Sequence, residues 1–398
     1  MDGPTGGVEP GGPRNEAAVR RSKLITRHGK GEVRLCHVKT AMKRVAEFSI
    51  EFVRFLDENG APQSALPPGL AEKETLVAMY RLMALTRALD AKAIALQRTG
   101  QLGTYASCLG QEAVGAGVGF AMRPEDVLVP SYREQAAQLA RGVTPAELLL
   151  YWGGDERGSD FSGPRHDFPI AVPIGTQTCH AVGAAAACKL RGEARAVVSC
   201  CGDGATSKGD FYESINLAGV WRLPVVFVVV NNQWAISVPR CLQSGAETLA
   251  QKAIAGGFEG LQVDGNDPLA VRWSVDRALA KARDGGGPTL IEALTYRIHD
   301  HTTADDASRY RSEAEVEAAR ARDPLLRTRR YIDLAGYWSD DEEAALKEHL
   351  ASVVQEAVDT YLATPPPGPA AMFDYLFARL PGPLARQRAR ALGTPGDG

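Results

Sequence analysis

Two short apolar runs near the middle of the chain are separated by one helical segment. The runs are Ala196–Cys200 and Val225–Val230, and the helical segment follows an acidic turn at Gly202-Asp203-Gly204. This pattern predicts a strand, a tight turn, a helix and a second, parallel strand. We therefore expect an α/β fold with a mostly parallel sheet flanked by helices.

Longer helical patterns lie on either side of this region. The residues from Thr75 to Thr99 place apolar side chains at helical spacing, and their richness in Ala, Leu and Met predicts a buried helix. Thr289–Tyr296 is predicted as a further buried strand. A second helical stripe, which the prolines at 365–367 should end, is predicted to be core or a subunit contact; it comprises Leu346, Leu350, Val353, Val354, Ala357 and Tyr361.

The chain is expected to have four parts. Residues 1–41 are rich in Gly and Pro and then in basic residues, and they predict a flexible tail or sequence upstream of a start at Met42. A helical N-terminal extension should cover 42–74, the main α/β domain 75–330, and a helical C-terminal extension and tail 331–398. A mitochondrial transit peptide is the weaker alternative for the tail, because serine is scarce and acidic residues interrupt it. We accordingly expect a bacterial cytoplasmic protein, with the mitochondrial matrix as the weaker alternative.

Composition narrows the class of protein. The 398 residues are 44% hydrophobic and 23% charged, enough to bury a large core. A net charge of −3 gives no reason to expect a nucleic-acid partner, and no apolar run reaches the length that spans a membrane. The seven cysteines include no CxxC pair, so a zinc site or a disulfide framework is not expected.

Polar residues follow both central strands at the point where each strand should end. Asp203 follows the first strand, and Asn231 and Asn232 follow the second. The carboxyl ends of neighbouring parallel strands are where open α/β sheets bind ligands. A carboxylate, a side-chain amide and nearby carbonyls form an all-oxygen site that suits Mg²⁺ and a phosphate-bearing ligand.

Each residue of this segment has a predicted part in such a site. Gly202 and Gly204 let the backbone turn and approach a ligand, and Ala205 begins the lead into a helix whose N-terminal amides favour an anion. Asp203, Asn232 and the carbonyl of Trp234 are the predicted metal ligands. Alternatively, Asp203 caps a helix and the two asparagines make a turn. The combination, at the separation of one crossover, favours the cofactor site.

The GDG turn followed by NN resembles the thiamine diphosphate signature. From about Glu47 to about Leu380 the chain resembles the alpha subunit of 2-oxo acid dehydrogenases, the decarboxylating component of the pyruvate and branched-chain complexes. The blocks that carry the resemblance are Thr104–Ala113, Pro130–Gln135, Pro173–Gln177, Val263–Asp267, Gly287–Arg297 and His301–Arg311.

The resemblance implies a thiamine-diphosphate-binding fold, with residues 75–330 holding the diphosphate, and further site residues. Tyr132 and Arg133 match residues that hold the diphosphate, and the carbonyl of Ile174 would face the aminopyrimidine. His301 matches a histidine beside the diphosphate and the reacting centre; orienting the cofactor and assisting acyl transfer are both open. A solvated loop is the alternative for His301, and ion pairs of Arg297, Asp305 and Arg311 are expected to lock that loop.

Some of the implied roles concern regulation and ions. Thr176 and Gln177 match residues that contribute oxygens to a potassium site in some relatives, although a simple helix start explains the same residues. Thr302 matches a serine that dedicated kinases phosphorylate in mitochondrial relatives, where a phosphate would repel the diphosphate.

The implied reaction is the oxidative decarboxylation of a 2-oxo acid, with acyl transfer to the lipoyl group of a dihydrolipoyl acyltransferase. In the family the glutamate that activates the cofactor comes from a beta subunit, so we expect an alpha-two beta-two assembly. Pyruvate is the expected substrate, and branched-chain 2-oxo acids are the alternative. A dinucleotide-dependent oxidoreductase is disfavoured because GDGATSKG lacks the third glycine of GxGxxG. A noncatalytic scaffold is also disfavoured, because it need not retain the four residues Asp203, Asn232, Arg133 and His301 together.

Several positions depart from the family pattern. Val230 replaces a polar or charged residue that reaches the diphosphate in relatives, which leaves a larger share to Arg133 and His301. Val172 and Leu109 stand where branched-chain enzymes usually carry serine and tyrosine, and both are expected in the pocket wall. His180 is expected to be a packed helix residue.

Overall fold

The computed structural model describes residues 44–374 and 376–393, together with the backbone of two short strands before them. The chain divides into two compact units, Met1–Ser49 and Ile50–Gly398. In the first unit, β1 (Lys23–Ile25) pairs antiparallel with β2 (Leu35–His37). Apart from these strands, the predicted tail of residues 1–41 lies outside the described residues. The boundaries predicted near residues 74 and 330 stay predictions. The predicted helical character of 42–74 was wrong: its described part holds the strand Glu51–Val53 and turns, and the first helix begins only at Lys73.

The second unit contains the remaining strands and all the described helices. The strands are β3 (Glu51–Val53), β4 (Val127–Val129), β5 (Val197–Gly202), β6 (Val225–Asn231), β7 (Trp234–Ala235), β8 (Val238–Pro239), β9 (Glu259–Asp264) and β10 (Thr289–Leu294). The helices are α1 (Lys73–Arg98), α2 (Glu112–Ala121), α3 (Gln135–Ala140), α4 (Pro145–Trp152), α5 (Thr176–Arg191), α6 (Gly209–Trp221), α7 (Arg240–Gln243), α8 (Lys252–Gly256), α9 (Pro268–Arg283), α10 (Glu313–Arg320), α11 (Pro324–Leu334), α12 (Asp340–Ala363), α13 (Ala371–Asp374) and α14 (Gly382–Ala391). Short 3₁₀ turns cover Glu156–Ser159, Asp203–Ser207 and Ala307–Arg309.

Six strands form one sheet in the order β3-β9-β10-β6-β5-β4, and every neighbouring pair is parallel. The sheet confirms the predicted α/β fold class. Gly202 of β5 pairs with Val230 of β6, and Asn231 of β6 pairs with Leu294 of β10. The carboxyl ends of the three central strands are therefore level, which brings the residues that follow them to one edge of the sheet.

Helices cover both faces of this sheet, so its central strands are buried and mostly apolar. Every residue of β6 is buried, as expected for a strand covered on both faces. Residues of α5, α6 and α8 pack on one face with side chains such as Phe227. Residues of α2 and α9 pack on the other face with side chains such as Val228. This packing fixes the strand ends that carry the polar residues.

Two long helices confirm predictions made from apolar periodicity. Helix α1 covers nearly all of the predicted 75–99 segment and buries ten of its side chains. Helix α12 begins with a capping box between Ser339 and Glu342, ends at Ala363 before the prolines, and buries Leu346 and Leu350 of the predicted stripe. Among the described helices, none combines the length and apolar character needed to cross a membrane.

Candidate active site

One cavity of about 220 Å³ lies at the carboxyl ends of β4, β5 and β6. Its lining includes every site residue predicted from the sequence: Tyr132, Arg133, Ile174, Gly202, Asp203, Gly204, Ala205, Asn232, Trp234 and His301. A larger cavity of about 900 Å³ lies beyond the ends of β9 and β10, and its lining shares only Trp234 with the predicted set. The smaller cavity is therefore the candidate site, although the role of each residue stays a prediction.

The acidic turn after β5 places in the cavity a carboxylate that has one oxygen without a partner. Asp203 is only 2% exposed, and its Oδ2 atom has no hydrogen-bond partner among the described residues. Burial raises the pKa of Asp203 to about 6. A Cβ atom at Gly202 would point into open space, whereas one at Gly204 would lie 2.9 Å from the Cβ of Ala235. The turn therefore leaves room at Gly202 and requires glycine at 204.

The two asparagines at the end of β6, Asn231 within the strand and Asn232 after it, have different surroundings, because successive side chains along an extended chain point in opposite directions. Asn231 donates to Glu292 at 2.6 Å, away from the cavity. Asn232 lines the cavity, and its Nδ2 donates to Oε1 of Gln111 at 3.1 Å. Its Oδ1 accepts from the backbone N–H of Trp234 at 3.2 Å. Only the second asparagine is therefore placed to hold a ligand of this cavity.

The turn around Trp234 is anchored by a buried arginine. Arg297 is 1% exposed and donates to the carbonyl of Trp234 at 3.1 Å and to that of Ile236 at 2.8 Å. Gln233 and Ile236 have φ angles of 74° and 57°, in the left-handed region that non-glycine residues seldom adopt. Burial, followed by the charge of Arg133, lowers the pKa of Arg297. The arginine thus holds a strained turn beside the cavity.

Arg133 follows β4 and reaches across the cavity mouth. Its Nη1 donates to the carbonyl of Ser107, and its Nη2 donates to the carbonyl of His301 at 2.8 Å. The ring of Tyr132 meets that of His301 edge-on, with centroids 6.0 Å apart. In the part of the chain that the structure describes, the side-chain acceptors of Arg133 are carbonyls and an imidazole. Its positive charge is left without a carboxylate.

His301 lies between two guanidinium groups. Its Nδ1 atom is 3.3 Å from Nη2 of Arg133 and 3.3 Å from Nη1 of Arg297. Both guanidinium groups can only donate, so Nδ1 accepts and the proton of the neutral ring lies on Nε2. Burial, followed by the charges of Arg133 and Arg297, lowers the pKa of His301 to about 4. The imidazole is therefore neutral at physiological pH and has one N–H to donate.

The loop that carries His301 is locked by hydrogen bonds rather than by the predicted ion pairs. Oδ2 of Asp305 accepts from the backbone N–H of His301 at 2.8 Å and from the hydroxyl of Tyr310. Arg311 donates to carbonyls, including that of Ile298 at 2.8 Å. The prediction of ion pairs among Arg297, Asp305 and Arg311 was wrong, because backbone carbonyls surround the two arginines where the loop folds back.

The segment before α5 forms another wall of the cavity. Ile174, Gly175 and Gln177 line it, and Gly175 has a φ angle of 85° immediately before the helix begins at Thr176. The amide of Gln177 donates to the carbonyl of Ala171. The helix start accounts for this geometry, and the potassium site stays a prediction.

Comparisons with known proteins agree with this arrangement. The family described as dehydrogenase E1 component matches residues 80–370. The chain belongs to this family. It is 45% identical over 289 residues to the 3-methyl-2-oxobutanoate dehydrogenase subunit alpha of Mycobacterium tuberculosis, covering 72% of this chain and 79% of the relative. It is 39% identical over 339 residues to the pyruvate dehydrogenase E1 component subunit alpha of Staphylococcus aureus, covering 85% of this chain and 91% of the relative. The predicted enzyme class, a 2-oxo acid dehydrogenase, is confirmed.

The departures from the family pattern have mixed outcomes in this E1 chain. Val230 lines the cavity, so its apolar side chain supplies no charge there. Val172 is 52% exposed and Leu109 packs against the cluster around Trp234; neither lines the cavity of the single chain, and their place in the substrate pocket wall stays a prediction. His180 is exposed, and its ring stacks on that of Phe168 with the centroids 5.8 Å apart. The prediction that His180 is packed inside the protein was therefore wrong.

Several lining residues were not predicted as site residues. They include Gln111, Ser131, Glu134, Gln243 and Arg297. Gln111 and Glu134 lie inside blocks that resemble the family, and this was the available signal for them. Arg297 was noted only as a loop residue, because sequence spacing alone does not show that its side chain turns back beneath the Trp234 turn.

The donor set of the cavity suits a hard cation and an anion together. Asp203 offers an unpartnered, buried carboxylate oxygen, and Asn232 and Trp234 offer neutral oxygens. Oxygen ligands of this kind are those that Mg²⁺ prefers. Arg133 and Arg297 bring two positive charges that no described carboxylate pairs. These residues therefore fit a magnesium-bound diphosphate.

Proposed function

We propose that this chain is the alpha subunit of a 2-oxo acid dehydrogenase that binds thiamine diphosphate and Mg²⁺ in the cavity between β4, β5 and β6. The observation that carries the proposal is the orphaned Oδ2 of Asp203, facing a cavity that two unpaired guanidinium groups also border. A buried carboxylate without a partner is costly unless a cation or a proton compensates it. Membership in the dehydrogenase E1 component family supports the same cofactor.

In the proposed site each residue has a defined task. Asp203, Asn232 and the carbonyl of Trp234 hold Mg²⁺, and Arg133 and Tyr132 hold the diphosphate. Gly202, Gly204 and Ala205 bring backbone close to the phosphate oxygens, and the carbonyl of Ile174 accepts from the aminopyrimidine. When bound, thiamine diphosphate supplies the electron sink that lets a 2-oxo acid lose carbon dioxide.

His301 is proposed to act as a neutral donor at the reacting centre. Because Nδ1 accepts from Arg133 and Arg297, the Nε2–H group is fixed as the donor. A donor of this kind can orient a phosphate oxygen or stabilise charge that develops on a substrate oxygen. A low pKa keeps His301 from taking a proton out of the site at neutral pH.

We further propose that a beta subunit completes the site. The described residues that line the cavity include two carboxylates, Asp203 and Glu134, and the family's activating glutamate belongs to the beta subunit. Ile174 and Ile236 line the cavity mouth and are 42% and 54% exposed. Exposed apolar side chains around a site support burial by a partner. The proposed assembly is alpha-two beta-two, which passes the acyl group to the lipoyl group of a dihydrolipoyl acyltransferase.

Pyruvate is the proposed substrate, and branched-chain 2-oxo acids are the second candidate. The block WGGDERGSDFSG favours pyruvate. The relative with 45% identity is a 3-methyl-2-oxobutanoate dehydrogenase subunit, which favours the second candidate. The departures at Val172 and Leu109 lie outside the cavity of the single chain, so they give no further support to either substrate. A cytoplasmic location is also proposed, and cell fractionation would test it.

Co-expression of this chain with its beta subunit tests the function. Carbon dioxide release is measured with pyruvate and with 3-methyl-2-oxobutanoate, in the presence of thiamine diphosphate and Mg²⁺. We expect the pair to release carbon dioxide and the chain alone to release none. Turnover by the chain alone would refute the shared site, and the ratio of kcat/KM for the two acids assigns the substrate.

A further inference from the structure

Gln111 is a buried amide at the start of α2 that contacts a proposed metal ligand. It is 4% exposed and lines the cavity. Its Oε1 accepts from Nδ2 of Asn232 at 3.1 Å, and its own Nε2 has no hydrogen-bond partner among the described residues. We propose that Gln111 orients Asn232 toward the cation and donates its Nε2–H to a diphosphate oxygen. This inference rests on the proposed function.

The first half of the proposal follows from the two-sided chemistry of an amide. An asparagine can give its oxygen to a cation only if its NH₂ group points elsewhere, where an acceptor must receive it. Oε1 of Gln111 is that acceptor for Asn232. A rotation of the Asn232 amide by half a turn would place its NH₂ against Mg²⁺, and the bond to Gln111 opposes that rotation. Gln111 is thus a positioning residue for the metal site.

The second half follows from the unpartnered Nε2. Once Oε1 faces Asn232, the NH₂ group of Gln111 must point away from that bond, and the residue lines the cavity. A buried donor without an acceptor destabilises the folded protein, so an incoming acceptor is favoured. The cavity is the one proposed for a diphosphate, whose oxygens accept hydrogen bonds. Nε2 therefore adds a neutral donor to the charges of Arg133 and Arg297.

The backbone around Gln111 is held firmly enough for such a task. Its N–H donates to the carbonyl of Cys108 at 2.9 Å. The carbonyl of the preceding Gly110 accepts from Thr295 at 2.8 Å, and the φ angle of Gly110 is 90°. A Cβ at that glycine would lie 2.7 Å from the carbonyl oxygen of Tyr296. The start of α2 is therefore fixed against the end of β10, beside the cavity.

Binding measurements on the co-expressed alpha–beta pair test both halves without relying on turnover. Mn²⁺ is used as the probe for the cation, and its free concentration is followed by electron paramagnetic resonance at saturating thiamine diphosphate. Gln111→Leu removes acceptor and donor, and we expect the Mn²⁺ dissociation constant to rise about 10- to 100-fold, as for other groups that orient metal ligands. Gln111→Glu keeps the acceptor, and the constant should stay within about threefold of the wild-type value because the orienting bond remains.

Thiamine diphosphate binding separates the donor from the acceptor. At saturating Mg²⁺, Gln111→Glu should raise the dissociation constant of thiamine diphosphate about tenfold or more, because a carboxylate replaces the donor facing the diphosphate. Unchanged affinity for thiamine diphosphate in this variant would overturn the diphosphate contact.

A matched control is available in Gln138. It is 1% exposed, its Nε2 is likewise unpartnered, and it does not line the cavity. Gln138→Leu should leave both dissociation constants unchanged; equal weakening by both leucine variants would overturn the proposal. The proposal about Gln111 also fails if Gln111→Leu binds Mn²⁺ like the wild type, or if Gln111→Glu weakens Mn²⁺ binding as much as Gln111→Leu does. Wild-type protein that binds neither probe would instead refute the proposed function itself.

Discussion

Arg133 contacts His301 at two points: Nη2 donates to the carbonyl oxygen at 2.8 Å and lies 3.3 Å from Nδ1 of the ring. The same guanidinium group is proposed to hold a diphosphate oxygen. One residue therefore links the expected anion site to the protonation state of the neighbouring imidazole. The orientation of the ring and its low pKa both depend on this contact, after the larger effect of burial.

Replacement of Arg133 by Met is expected to raise the pKa of His301 from about 4 toward the ordinary value of 6.5. The rise should be partial, because burial and Arg297 remain. Nuclear magnetic resonance titration of the His301 ring measures the change. Arg320→Met, on the exposed part of α10, is the control and should leave the titration unchanged. A His301 pKa near 4 in the Arg133 variant would show that its charge does not act on the ring.

His301 is also expected to make stability depend on pH. Its pKa is lowered to about 4 in the folded protein, against about 6.5 in the unfolded chain. Between these values the unfolded chain binds a proton that the folded protein does not, so folding is weakened as pH falls from about 6.5 to about 4. His301→Gln removes this contribution. The melting temperature of the variant should therefore fall less than that of the wild type over the same pH range.

Replacement of Asp203 by Asn should separate ligand binding from folding. The carboxylate is buried and unpartnered without a cation, so at neutral pH the metal-free variant should be at least as stable as the wild type. Stabilisation by thiamine diphosphate and Mg²⁺ together should be lost, since the anionic metal ligand is gone. Thermal melts with and without both ligands measure this. An unchanged melting shift on adding both ligands would refute the role of Asp203 as a metal ligand.

Arg297→Met is expected to destabilise the turn around Trp234, which forms part of the cavity wall. The substitution leaves the carbonyls of Trp234 and Ile236 without their donor, and each such loss costs about 1–3 kcal/mol. The free energy of unfolding should therefore fall by about 2–6 kcal/mol, measured by urea denaturation. Proteolysis within 299–311 should also become faster, because Arg297 no longer holds Tyr310. Equal stability and equal cleavage would contradict this role.

The central part of the site could be predicted because its signals are local in sequence. The strand, acidic turn, helix and second strand of 196–232 follow from apolar runs and glycine positions, and parallel pairing then brings Asp203 and Asn232 to one edge. The position of Tyr132 and Arg133 at the same edge of the sheet could be predicted too, because they follow the end of β4 within four residues.

The remaining features depend on contacts between distant segments. The bond between Gln111 and Asn232 joins residues 121 positions apart, and no periodicity encodes it. Arg297 and Arg311 have acidic residues within reach in sequence, which made ion pairs the natural expectation. The folded loop instead presents carbonyl groups to them, and those groups cannot be located from residue types. Exposure of His180 likewise depends on what packs over α5.

The left-handed conformation of Ile236 has a consequence for the evolution of this protein. A branched side chain at a φ angle of 57° costs folding free energy of roughly 1–2 kcal/mol, and a glycine there would avoid most of it. Selection for heat tolerance alone would be expected to replace this residue early. The side chain of Ile236 nevertheless borders the cavity mouth. Replacing it by glycine would therefore remove part of the apolar surface proposed to contact the beta subunit. Thermal stability therefore favours glycine at position 236, whereas the proposed subunit contact favours isoleucine.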